Sequence, residues 1–99
     1  VIRHIVAFDL SSADPAERSM QIAHMKEVLE PLLDLDVVES LTVRADLGRA
    51  AGHWPVVLVS EHRTVADLEA YQAHPDHVTA AAVAGQYVSG RAIVDYELP

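Results

Sequence analysis

The 99-residue sequence contains no cysteine. That excludes a disulfide framework, a thiolate nucleophile and any zinc site built on Cys. Positive charge is scarce as well: seven Lys and Arg stand against fifteen Asp and Glu, a formal net charge of -8. Such a surface repels phosphate backbones, so nucleic acid is not an expected partner. No apolar run approaches the roughly 18 residues that a membrane-spanning helix needs, and no membrane partner is expected. Low-complexity tracts and linker-like stretches are missing too, so residues 1–99 read as a single domain. The opening residues Val1-Ile2-Arg3-His4-Ile5 enter a strand pattern directly, without the basic, apolar and small-residue regions of a signal peptide, and a cytoplasmic location is expected.

What is present is a folding composition, with 51% hydrophobic and 22% charged residues. Residues 1–10 alternate as a strand with Ile2, His4, Val6, Phe8 and Leu10 on one side, the more hydrophobic one, where His4 needs a polar partner. Asp14-Pro15-Ala16-Glu17 combines a capping residue, a proline at the first helical position and a carboxylate three residues after the cap, which marks a helix start. Ile22, Met25, Leu29, Leu32 and Leu33 supply its buried stripe, His24 lies at the stripe's boundary, and Pro31 should kink or end the helix. Strands are expected over Val37–Ala45, Trp54–Glu61 and Arg91–Leu98, with a loop over Asp46–His53 and a turn at Gly90. Thr64-Val65-Ala66-Asp67 starts a short helix, and the alanine-rich segment Val78–Val88 has high helix propensity.

The resulting order is β-α-β-β-α-β with its second helical unit broken in two. Right-handed crossovers and hairpin adjacency give an α+β, ferredoxin-like sandwich, with an antiparallel sheet ordered 4-1-3-2 and helices on one face. The other face would carry Ile5, Ala7, Val57, Val59, Ala92 and Val94, too apolar to leave in water. A homodimer that joins the open faces of two sheets into an α/β barrel is the economical cover.

Chemistry is concentrated in Leu68-Glu69-Ala70-Tyr71-Gln72-Ala73-His74-Pro75-Asp76-His77-Val78. Pro75 lacks an N–H, fixes its own φ and pushes His74 out of the α region, so one helix should end near Gln72 and another begin at Pro75. Tyr71 then falls in the last turn of the first helix and His77 in the first turn of the second, where their polar tips can converge. The bland alternative is a core tyrosine and a surface histidine. A metal reading from His74, Asp76 and His77 is weakened by Pro75, which puts His74 before the helix; no metal site is expected. Ser60 and Ser89 lie in no nucleophile-elbow pattern. Arg91 shares parity with Ile93 and could anchor a carboxylate, but an arginine at a strand start is more often solvated or salt-bridged.

Four stretches together resemble the stress-responsive A/B barrel domain, also called the dimeric α+β barrel domain or Dabb. They are Ile2-Arg3-His4-Ile5-Val6, Leu58-Val59-Ser60-Glu61, the Leu68–Val78 motif and Arg91-Ala92-Ile93-Val94-Asp95-Tyr96. The resemblance spans essentially the whole chain, and the central motif is its most specific part. It implies a homodimeric barrel with a cavity between sheet and helices in each subunit. Family members similar to plant olivetolic acid cyclase are cofactor-free polyketide cyclases that use a tyrosine and a histidine; the match implies catalytic roles for Tyr71 and His77. It further implies a small-molecule substrate lined by His4, Val6, Phe8, Leu41, Leu58, Val88 and Ile93. Val56 stands where that cyclase type has a cavity histidine and Val88 where it has a bulky aromatic, so its particular substrate does not carry over. His62 replaces the aromatic that commonly follows the Ser-Glu pair.

In this reading His77 is a base poised near neutrality, kept unprotonated by the helix N-terminus, and Tyr71 donates to a developing enolate oxygen. The reaction class is acid–base chemistry on a carbonyl compound, such as an aldol-type, lyase-like cyclisation of a polyketide. No cofactor fingerprint is present, and none is expected. The rival is a non-catalytic stress-responsive or small-molecule-binding homodimer in which Tyr71 and His77 brace the helix break.

Overall fold

The computed structural model describes residues 1–99. Its elements run β1 (Ile2–Leu10), α1 (Pro15–Leu29), a 3-10 turn (Glu30–Asp34), β2 (Ser40–Ala45), β3 (Val56–His62), α2 (Val65–Ala73), α3 (Pro75–Gly85) and β4 (Val88–Glu97). All neighbouring strands pair antiparallel in the order β2-β3-β1-β4, the ferredoxin-like sheet expected from the sequence.

The strict alternation of β1 and β3 decides what the sheet buries. Ile2, His4, Val6, Phe8 and Leu10 of β1 and Val56, Leu58, Ser60 and His62 of β3 face the helices and are buried. The core between sheet and α1 is closed by Met25, Leu29, Leu32, Leu41 and Val43. At the start of α1 the Asp14 carboxylate accepts the Glu17 N–H at 2.9 Å, with Pro15 at the first helical positions, as the sequence requires. Pro31 ends the α-helix at Leu29 and the chain tightens into the 3-10 turn. That change of period from about 3.6 to 3.0 residues per turn swings Leu33 out of the stripe, and it is 44% exposed.

Several boundaries differ from expectation: β3 begins at Val56 and not at Trp54, and the helix expected over Val78–Val88 stops at Gly85. Strand β2 begins only at Ser40, because the Val38 N–H bonds back to the Leu35 carbonyl in a turn. Gly90 makes no turn: it lies within β4 opposite Asp9, and a Cβ there would stand 3.6 Å from the Trp54 ring. Reversal happens earlier, after α3 stops at Gly85, and the strand absorbs the extra residue in a bulge at Asp9 and Leu10.

Opposite the helices, Ile5 pairs with Val59 and Val94, and Ala7 with Val57 and Ala92. No helix covers this face, and Val94 is 59% exposed. Arg3 borders it, bonded to Glu61 at 2.7 Å and to the Tyr96 hydroxyl at 2.9 Å. No helix is long and apolar enough to cross a membrane.

Candidate active site

The break between α2 and α3 falls where Pro75 demands it. His74 is extended (φ -62°, ψ 135°) and caps α3 with its own ring, Nδ1 accepting the Asp76 N–H at 3.0 Å. The cap engages only Nδ1 of His74, and no three His, Cys, Asp or Glu side chains are grouped to hold an ion. The bend turns the two helices so that the Tyr71 and His77 ring centroids lie 4.6 Å apart.

Both rings wall a cavity of about 140 Å³ between the sheet and α2–α3. Its floor comes from His4, Val6 and Phe8 of β1, Leu58 of β3, and Arg91 and Ile93 of β4; Gln72, Ala81, Ala84 and Gly85 form the helical wall, with Leu29 behind. Small residues on α3 leave the space open. The volume is comparable to a dry, engineered cavity of roughly 150 Å³ that accepts benzene.

Of the residues singled out from the sequence, Tyr71, His77, His4, Val6, Phe8, Leu58 and Ile93 meet in this cavity. Leu41 and Val88 do not line it. Leu41 sits on the edge strand β2, opposite Ser60 and one strand beyond the cavity floor, and fills the α1 core instead. Val88 lies past the bulge, opposite Leu10, where it packs against the core.

Hydrogen bonding fixes each imidazole. Nδ1 of His77 donates to the Gln72 carbonyl at 3.0 Å, which leaves Nε2 as the basic nitrogen of the neutral ring. Burial lowers the His77 pKa from its ordinary value; the Gln72 carbonyl partly opposes this, and charge on His4 adds to it. His77 is therefore unprotonated near neutral pH. Tyr71 is fully buried, and its hydroxyl has no hydrogen-bond partner in the chain. Desolvation pushes that phenol up to about 12, so it remains a donor. A buried hydroxyl without a partner costs about 1–3 kcal/mol, a cost that a ligand oxygen would remove.

Two features had no sequence signal beyond strand parity. Asp95 of β4 pairs across the sheet with His4 and accepts from its Nδ1 at 2.5 Å, so the buried His4 ring is held with Nε2 free of protein partners. His62, fully buried, packs 4.8 Å from Tyr71; its Nδ1 donates to the Val37 carbonyl at 2.7 Å and its Nε2 accepts from Ser60 Oγ at 2.9 Å. That Ser–His pair is satisfied and enclosed, so it backs Tyr71 and presents no nucleophile. His24, at the boundary of the α1 stripe, bonds the Tyr87 hydroxyl at 2.5 Å and stays outside the cavity.

Comparison with known proteins agrees with this architecture. A dimeric ferredoxin-like protein of unknown function from Bacteroides fragilis superposes with a TM-score of 0.86 at 30% identity, over 98% of this chain and 95% of that one. A second dimeric ferredoxin-like protein of unknown function, from Thermobifida fusca, gives 0.79 at 28% identity, over 98% and 90%. Hydroxynitrile lyase from Passiflora edulis shares the fold at a TM-score of 0.74 and 19% identity, over 99% and 93%. No curated protein sequence matches significantly. The model of the stress responsive A/B barrel domain, Dabb, matches residues 2–98, and the chain belongs to that family.

Proposed function

We propose that this protein is a cofactor-independent acid–base enzyme acting on a small carbonyl compound, with His77 as base and Tyr71 as hydrogen-bond donor. The observation that carries the reading is the buried, unpartnered Tyr71 hydroxyl beside a histidine whose Nδ1 is pinned and whose Nε2 is basic. A proton α to the substrate carbonyl passes to His77 Nε2, and the C–H electron pair moves toward the carbonyl oxygen. That oxygen, now an enolate, accepts the Tyr71 O–H. In an aldol-type closure the enolate carbon attacks a second carbonyl, and its oxygen takes the proton back from His77, which returns to its neutral state. The low polarity of Val6, Phe8, Leu58 and Ile93 strengthens the Tyr71 hydrogen bond as charge develops. His4, oriented by Asp95, offers a polar contact to the substrate on the same floor.

Deuterium exchange at the α-carbons of cyclohexanone, followed by NMR, tests the reading. Tyr71→Phe and His77→Ala should each lower catalysed exchange by about 10²–10⁴-fold. Tyr71→Phe should leave stability equal or slightly higher, since it removes an unpaired buried hydroxyl. No wild-type exchange above buffer, or equal exchange in both variants, would eliminate the mechanism.

One observation favours a second reading, a small-molecule-binding or structural domain: the His77–Gln72 bond staples α2 to α3 across Pro75. In that case His77→Ala loosens the helices, Tyr71→Phe changes nothing, and no exchange is catalysed.

The protein acts, in this proposal, as a homodimer through the bare face of its sheet. The apolar row of Ile5, Val59 and Val94 and the dimeric state of the Bacteroides fragilis relative support this. Light scattering at micromolar concentration should give twice the chain mass, and a monomer there contradicts it.

A further inference from the structure

Of the seven cations of this acidic chain, Lys26, Arg49 and Arg91 form no ion pair, and of these three Arg91 alone lines the cavity. Arg3, Arg18, Arg44 and Arg63 each pair with a carboxylate: Glu61, Asp9, Glu30 and Glu39. Arg91 has no ion pair and no side-chain hydrogen bond, although fifteen Asp and Glu are available. Asp9, which lies across the sheet from the neighbouring Gly90, is paired with Arg18 instead. Two contacts hold the guanidinium where it is. It lies over the Phe8 ring, 5.9 Å from the centroid, and its Nη2 fits against Gly85, where a Cβ would be only 3.1 Å away. Phe8, Gly85 and Arg91 all line the same cavity as Tyr71 and His77.

The cavity is therefore polarised along its length. Tyr71 is fully buried at its inner end, while Arg91 and the half-exposed Ile93 stand at the mouth. An arginine presents a planar fork of donors suited to a carboxylate, and it is less strongly hydrated than a lysine. We infer that Arg91 selects substrates carrying a carboxylate, so that the cavity takes small oxo acids with the carbonyl at Tyr71 and His77 and the acid group at the mouth. This rests on the cavity being the ligand site proposed above, and it adds the substrate class and the residue that sets it.

The benzene-like volume supplies the probes. Benzoate and benzamide share shape and differ in charge, and NMR titration of the whole protein measures both. Wild type should bind benzoate at least about tenfold more tightly than benzamide, and the preference should shrink when sodium chloride is raised from about 50 to 500 mM. Arg91→Met keeps the apolar stem over Phe8; it should abolish the preference, so that benzoate binds no more tightly than benzamide. Arg91→Lys should retain part of the preference, and Arg49→Met, in the loop beyond β2, should retain all of it. Equal wild-type binding of the two probes overturns carboxylate selection while the cavity remains a ligand site. A salt-sensitive preference that survives Arg91→Met overturns the role of Arg91. Failure of both probes to bind at millimolar concentration overturns the inference together with the ligand site, whereas loss of α-exchange in Tyr71→Phe and His77→Ala bears on catalysis alone.

Discussion

The helix layer of this protein has two halves that use the same kinds of elements to opposite ends. Under α1 and the 3-10 turn, Met25, Leu29 and Leu32 meet Leu41 and Val43, and all five are buried. Under α2 and α3, the helical wall is Ala81, Ala84 and Gly85, the sheet contributes a histidine and an arginine, and a cavity remains. The difference lies in side-chain volume on one helix, not in fold. A closed core gains stability from every methylene, whereas an open one forgoes dispersion contacts so that a guest can supply them. Polar groups follow the same division. His62, behind Tyr71 and outside the cavity, has both ring nitrogens satisfied, but Tyr71, which lines the cavity, has a buried hydroxyl without a partner.

Variants can break this contrast. On the proposed mechanism, the substitutions at Tyr71 and His77 carry the largest expected effect, since they remove the base and the hydrogen-bond donor. Next comes Met25→Ala, at a side chain with no exposure, which should cost about 2–5 kcal/mol in urea unfolding. Ile93→Ala at the cavity mouth, 53% exposed, should stay within about 0.5 kcal/mol while weakening benzamide binding. Comparable losses at the two sites would mean that the two halves are equally packed. The pH dependence of α-exchange is the finest test. Burial holds His77 below its ordinary value of 6.5, and the reactive form is the neutral one, so the rate should be flat near neutrality and fall with acid only at a midpoint below 6.5. An alkaline limb from Tyr71 belongs near 12, outside the working range. An acid midpoint above 6.5 would mean that burial does not govern the base.

Local chemistry made much of the site readable. Pro75 dictates the helix break through its missing N–H, and Tyr71 and His77 follow from it. Asp14 and Pro15 start α1 for equally local reasons. Parity placed Val6, Phe8, Leu58 and Ile93 toward the helices. The pocket role that the family resemblance implied for Leu41 does not hold, because Leu41 faces the helices from β2, one strand beyond the cavity floor. Val88 was displaced by a bulge that only the pairing of β1 with β4 reveals. Gly90 carries a turn signal, yet it lies within β4 opposite Asp9, and a Cβ there would meet the Trp54 ring at ordinary contact distance.

Arg91 shows the limit most clearly. Base rates for arginines favoured solvent or a salt bridge, and its parity with Ile93 was the only hint of the cavity.

The sequence by itself determined the order of elements, the helix break and the two apolar faces of the sheet, because these depend on backbone restrictions and on periodicity within a few residues. Only the tertiary structure decided that Asp95 orients His4, that the Val37 carbonyl binds His62, and that Arg91 remains unpaired at the mouth. Those outcomes are settled by which groups meet across 91 or 25 positions of chain. A buried polar group takes the partner that packing brings within reach, and no local pattern encodes that distance.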